Sequence, residues 1–152
     1  MADIFELLKN DHDDHRKLLK QLSETHGDSE DRRELFEKFK LDALSHANAE
    51  EQSLYAAMLG DPDLQDEGSH STAEHHEIEE YIEELEDTDM SSPGWIATFE
   101  KLRERYEHHI DEEEEETFAA AKKKFSDDKR QELGAIFAKR KPAEKEEERE
   151  AA

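Results

Sequence analysis

Apolar residues recur along this chain at steps of three and four, the spacing that puts them on one face of an α-helix. Over residues 3–24, Ile4, Leu8, His12, His15, Leu19 and Leu22 share such a face, and Gly27 and Asp28 close the segment. Residues 29–59 predict a second, longer helix with Phe36, Phe39, Ala43, His46, Glu50, Leu54 and Met58 on one side, stopped by the Gly and Pro of residues 60–63. A third helix is expected over about 68–87, with His75, Ile78, Ile82 and Leu85 inward. Ser92 and Pro93 suit the cap and first turn of a fourth, running to about 124 with Phe99, Leu102, Tyr106, His109 and Glu113 inward. A short fifth helix, 127–140, carries Leu133, Ile136 and Phe137.

No stretch alternates with the period of two that a half-buried strand needs. The expected fold is therefore all-α: an antiparallel four-helix bundle with a short C-terminal helix across one end or along one side. The expected domain spans residues 1–140. The charged tail, 141–152, offers nothing to bury and is expected to be frayed or disordered.

The chain also repeats at an offset of 63 residues. His12 matches His75, Phe36 matches Phe99, His46 matches His109, Glu50 matches Glu113 and Tyr55 matches Phe118. Each half is a helical hairpin with one histidine on its first helix and His-x-x-x-Glu on its second, an internal two-fold repeat. The repeat chooses between neighbours: His75 and His109 keep the inward face, while His76 and His108 are rotated by about 100° toward solvent.

Composition narrows the partners. Of the 152 residues, 43% are charged and 33% hydrophobic, and the formal net charge is −23. Phosphate binding needs a basic surface, so nucleic acid and anionic membranes are not expected as partners; cations are. The absence of cysteine removes disulfides, thiolate metal sites and iron–sulfur clusters, and fits a cytoplasmic protein. The N-terminus shows no signal peptide, and no segment is apolar for long enough to cross a membrane.

In an antiparallel bundle His12, His46, His75, His109, Glu50 and Glu113 converge at one level of the core. Two buried carboxylates without partners would cost several kcal/mol each, and no Lys or Arg shares the inward face at that level. A metal supplies the missing cation. Six protein ligands are too many for one tetrahedral zinc site. Divided by the repeat, they give two metals with two imidazoles each and two shared carboxylates. Imidazole and carboxylate without sulfur suit iron or manganese, with zinc as a further candidate.

The motifs NDH at 10–12, HANAEE at 46–51, EHHEI at 74–78 and HHIDEEEEETF at 108–118 together resemble the hemerythrin-like family of HHE cation-binding domains, over about residues 3–140. Ferritin-like di-iron proteins are a poorer match, since no histidine here has a glutamate three residues before it. The resemblance implies a four-helix bundle holding two iron ions, oxo- or hydroxo-bridged as well as carboxylate-bridged. It implies binding of O2, NO, peroxide (H2O2) or iron, in carriage, sensing, storage or stress protection.

The chain departs from the oxygen-carrying members, which resemble His-x-x-x-His on the third helix and His-x-x-x-x-Asp on the fourth. Here Glu79 follows His75, and Glu114 stands at the Asp position. The missing fifth histidine argues against reversible oxygen carriage. His15, one turn after His12, Glu79 and Tyr106 are candidates for an additional ligand or a supporting contact; Tyr55 and Phe118 read as packing. Of the run Glu112–Glu116 only Glu113 faces inward, and the rest read as solvated. His26 and His70 carry no signal. Two functions follow: a small-ligand-binding, sensing or stress-protective protein, and alternatively a catalase-like, peroxide-consuming oxidoreductase using the same centre.

Overall fold

The computed structural model describes residues 2–151; Met1 and Ala152, the outer ends of the expected domain and tail, lie outside the described residues. Among the described residues there are five helices and no strand. Helix α1 is Ile4–Ser23, with the Asp3 side chain accepting the Phe5 N–H at its start. Helix α2 runs as Glu30–Glu50, continues through a π-helical turn, Glu51–Tyr55, and ends as Ala56–Leu59. Helix α3 is Gln65–Glu86 and starts slightly earlier than expected. Helix α4 is Pro93–Glu112, a second π-helical turn, Glu113–Thr117, and Phe118–Lys124. Ser92 caps it and Pro93 opens its first turn, where a missing N–H costs nothing. No helix among the described residues is long and apolar enough to cross a membrane.

The apolar stripes of α1–α4 meet in two clusters. One joins Leu18, Leu19 and Leu22 of α1 to Phe36 and Phe39 of α2, Ile78, Ile82 and Leu85 of α3, and Trp95, Phe99 and Leu102 of α4. The other joins Ile4, Phe5 and Leu8 at the start of α1 to Leu54, Tyr55 and Met58 near the end of α2, and to Phe118 and Ala121. The start of α1 thus packs beside the end of α2, so these two helices run in opposite directions. Between the clusters, on α1, sit His12 and His15; on α2, His46 and Glu50; on α3, His75; on α4, His109 and Glu113. All are buried. The apolar layers on either side hold this polar layer out of water, which raises the strength of every electrostatic contact in it.

Helix α5 corrects two expectations. It is not short but spans Asp127–Ala151, and the stretch expected to be disordered from Lys141 onward is helical as far as the structure describes it. The expected stop rested on the lack of anything to bury from Lys141 onward. Pro142 removes one helical hydrogen bond, yet the helix continues because its far half docks through charge. Lys141 Nζ lies 2.7 Å from Asp11, Lys145 Nζ 2.8 Å from Asp42, and Glu144 is buried against Gln52 and Arg140. The near half docks by packing, with Leu133 and Phe137 in the second cluster. There Gly134 lets the backbones meet: a Cβ on it would stand 2.4 Å from the Ala2 carbonyl oxygen.

Candidate metal centre

Four helices each deliver one histidine to the glutamate pair, His12, His46, His75 and His109, because the apolar stripe fixes which side of each helix faces in. Ligand atoms of His12, His46, Glu50 and Glu113 lie within 4.8 Å of one another, and so do those of Glu50, His75, His109 and Glu113. The two carboxylates belong to both groups. The Nε2 atoms face them: His12 is 3.1 Å and His109 3.6 Å from Glu113, while His75 is 3.2 Å and His46 3.7 Å from Glu50.

The donor atoms fit a cation better than they fit each other. Both oxygens of Glu50, Glu113 Oε1 and His12 Nε2 are fully buried and make no hydrogen bond of acceptable geometry. Such atoms cost about 1–3 kcal/mol each when left unpaired, so a fold that gathers four of them needs a compensating charge. Burial, then the neighbouring Glu113 charge, push the Glu50 carboxyl well up. Burial also works against the ionised Glu113, but the close His12 imidazole and the His109 and His12 charges hold it well down. Burial pushes His12 down as well, and its contacts with Glu113 and Glu114 outweigh that and raise it to about 9. His46 goes the other way, to about 4, because burial wins over its hydrogen bond to Asp11. A buried carboxyl pushed toward its neutral form beside a histidine pushed toward its charged form is a balance that a positive guest would relieve.

The other ring nitrogens face outward, to carboxylates. Asp11 accepts the Nδ1–H of His46 at 2.8 Å and Glu74 that of His109 at 2.8 Å. Glu114 does the same for His12 at 2.8 Å and is itself held by Arg16 at 2.9 Å; Glu51 stands 3.7 Å from His75 Nδ1. A carboxylate only accepts, so for His12, His46 and His109 these contacts put the proton on Nδ1 and leave Nε2 free to bind a metal, while His75 Nδ1 is buried without a hydrogen bond. The sequence reading missed all four. It took Glu114 for a solvated member of an acidic run. The available signal was the offset: Asp11 and Glu74, and Glu51 and Glu114, are each 63 residues apart.

The three additional candidates divide. His15 is buried and shares a 2.6 Å hydrogen bond with the Tyr106 hydroxyl, and its ring lies edge-on to His46 with centroids 5.2 Å apart. The two therefore satisfy each other and flank the site. Glu79, a candidate for an additional ligand, is half exposed and sits 4.0 Å from the exposed His76, on the outer face of α3 and away from the ligand cluster. Tyr55, read as packing, does more: its hydroxyl donates to Glu113 Oε2 and lies 3.4 Å from His75 Nε2.

The π-helical turn explains this. Along a regular α-helix Tyr55 would stand about 140° from Glu50. A π turn takes roughly four and a half residues, which swings Tyr55 back toward the face of Glu50. Beside the histidines a cavity of about 10 Å³ opens between Ala43, Ala47, Ile78 and Ile110, with His46, His75, His109 and Tyr106 on its polar side. It has room for about one water-sized molecule.

A profile of the hemerythrin HHE cation binding domain matches residues 3–121. Among solved structures, a hemerythrin HHE cation binding domain-containing protein from Mycobacterium kansasii is similar, with 27% sequence identity and a TM-score of 0.85, over 97% of this chain and 90% of that one. Comparison with curated protein sequences finds no significant match. The ordered histidine and glutamate motifs, the buried His–Glu clusters and the profile match over most of the chain agree: this protein belongs to the hemerythrin HHE cation binding domain family, whose members bind metal, iron among them.

Proposed function

We propose that the chain holds a non-haem di-iron centre, with His12 and His46 on one metal, His75 and His109 on the other, and Glu50 and Glu113 shared. On this reading it binds oxygen, nitric oxide or peroxide in sensing, storage or stress protection. The observation that carries it is the pair of buried glutamates, Glu50 and Glu113, with unpaired oxygens ringed by four histidine Nε2 atoms. Two carboxylates with two imidazoles apiece suit iron, ahead of manganese or zinc. Iron bound there supplies Lewis acidity, accessible redox states and coordination positions that the protein leaves unfilled.

We read the architecture as a four-helix bundle of two hairpins. What supports this is that contacts come in pairs at the 63-residue offset. Asp11 on His46 matches Glu74 on His109. The Phe118 ring stacks on His12 at 5.9 Å, as the Tyr55 ring lies against His75 at 5.1 Å. The Tyr55 hydroxyl departs from the symmetry inside the ligand set, as His15 and Tyr106, whose counterparts are Ile78 and Ala43, do beside it.

That departure favours the second reading, a catalase-like turnover of peroxide. Tyr55 holds a proton beside Glu113, inside the ligand set, and a phenol there can supply or recover it during turnover. The cavity lined by His46, His75 and His109 limits either function to guests of a few atoms. Optical spectra of the reduced, iron-loaded protein mixed with oxygen, nitric oxide and peroxide test the function. A new absorption band with any of them supports ligand binding, and sustained oxygen evolution from peroxide selects the enzyme. Spectra unchanged by all three would rule out both.

A further inference from the structure

We propose a second, outer cation site on α3 and α4, built from His70, Glu74 and Glu112 with His108 alongside Glu112, that takes a first-row divalent ion such as zinc. His70 Nε2 lies 2.9 Å from Glu112 Oε1 and 3.5 Å from Glu74 Oε1, and His108 Nε2 lies 3.0 Å from the other Glu112 oxygen. Ligand atoms of His70, Glu74 and Glu112 are all within 4.8 Å of one another. Imidazole and carboxylate are the donor types that zinc, iron and manganese share, and His108 stands beside Glu112 as a second imidazole.

The local sequence explains the convergence. His70 and Glu74, and His108 and Glu112, are each four residues apart, so each pair stacks on one helix face. This is the His-x-x-x-Glu pattern of the core, displaced by one residue on α4 and therefore turned outward by about 100°. His70 and His108 are 56% and 62% exposed, so an ion reaches them from solvent. Glu74 is nearly buried, and its Oε1 also accepts from His109 Nδ1, so the outer cluster and the core share one carboxylate. The base closest to Glu74 besides the histidines is Arg105, 3.6 Å from its Oε2 and closer, at 2.9 Å, to Glu77. The net charge of −23 raises the local concentration of cations around such a site.

Cation binding at this outer cluster stands apart from the reading of the core. The test is a calorimetric titration of zinc into iron-loaded protein, with core metal content measured before and after. Wild type should take up one further zinc per chain, with the iron retained. In the double variant His70→Ala and His108→Ala that uptake should weaken at least tenfold, with core metal and helical content unchanged. Equal zinc uptake by wild type and variant, or none by wild type, would overturn the outer site and show plain ion pairing. Absent core metal would instead count against the di-iron reading and leave the zinc comparison to be made on the same chain.

Discussion

Asp11 Oδ2 accepts the Nδ1–H of His46 at 2.8 Å, and that contact decides which nitrogen of the ring points at the core. Lys141 from α5 holds the other Asp11 oxygen at 2.7 Å, so the C-terminal helix takes part in setting one histidine. Removing the acceptor should free the ring. Asp11→Ala is expected to weaken metal binding about 10- to 100-fold, and Glu74→Ala to do the same through His109. Competition with a chromophoric chelator measures both. Affinity equal to wild type in the two variants would mean that the outward carboxylates do not orient the rings.

Tyr55→Phe keeps the packing and removes one donor. Glu113 Oε1 is already unpaired, so losing the tyrosine contact leaves the buried carboxylate with neither oxygen bound outside the histidines. The metal-free protein should lose about 1–3 kcal/mol of stability, read from urea denaturation. A smaller loss in the metal-loaded protein is expected, because a cation then satisfies Glu113.

Gly134→Ala sets two effects against each other. Alanine favours a helix over glycine by about 0.8–1 kcal/mol. Its Cβ, however, would meet the Ala2 carbonyl at 2.4 Å, in a segment pinned by buried Ile4 and by the ion pair of Asp3 with Arg130. Overpacking of this kind costs about 1–3 kcal/mol, so the variant should be less stable by about 1 kcal/mol. Thermal unfolding checks it; a midpoint equal to or above wild type would show that the two backbones do not approach so closely.

Metal loading should release protons. His12 is raised from 6.5 to about 9 in the metal-free protein, burial being outweighed by Glu113 and Glu114, so at pH 7 a cation must displace its proton. Apparent affinity should fall about tenfold for each pH unit of acidification below about 9, per proton displaced, and titrations in buffers of different ionisation enthalpy count those protons. The sign for stability follows from the same shift. His12 has a raised folded pKa, so its contribution to the metal-free protein is fully present below about pH 6.5 and is lost as pH rises through about 9. Metal-loaded protein should lack this dependence.

What was readable in advance depended on periodicity. The apolar stripes through Leu8, Leu19 and Leu22, or Phe99 and Leu102, announce the helices directly, and the polar interruptions of those stripes mark the buried layer. The outward carboxylates were hidden by their background: with 44 acidic residues in the chain, Asp11, Glu51, Glu74 and Glu114 look like solvated surface unless the 63-residue offset is followed beyond the histidines. The π-helical turns carry no local signal, so the placement of Tyr55 on Glu113 followed only from the backbone. The far half of α5 was unreadable for a different reason. Its partners are charges on α1 and α2, and a run of lysines and glutamates looks the same whether it is docked or free.

The most direct measurement is metal content per chain, by elemental analysis, in wild type and in Glu50→Ala and Glu113→Ala. The account predicts about two iron ions per wild-type chain, a loss of at least one in each variant, and a fall in unfolding temperature when the wild-type metal is chelated. Well under one metal per chain after reconstitution with iron, with stability indifferent to chelators, would contradict it.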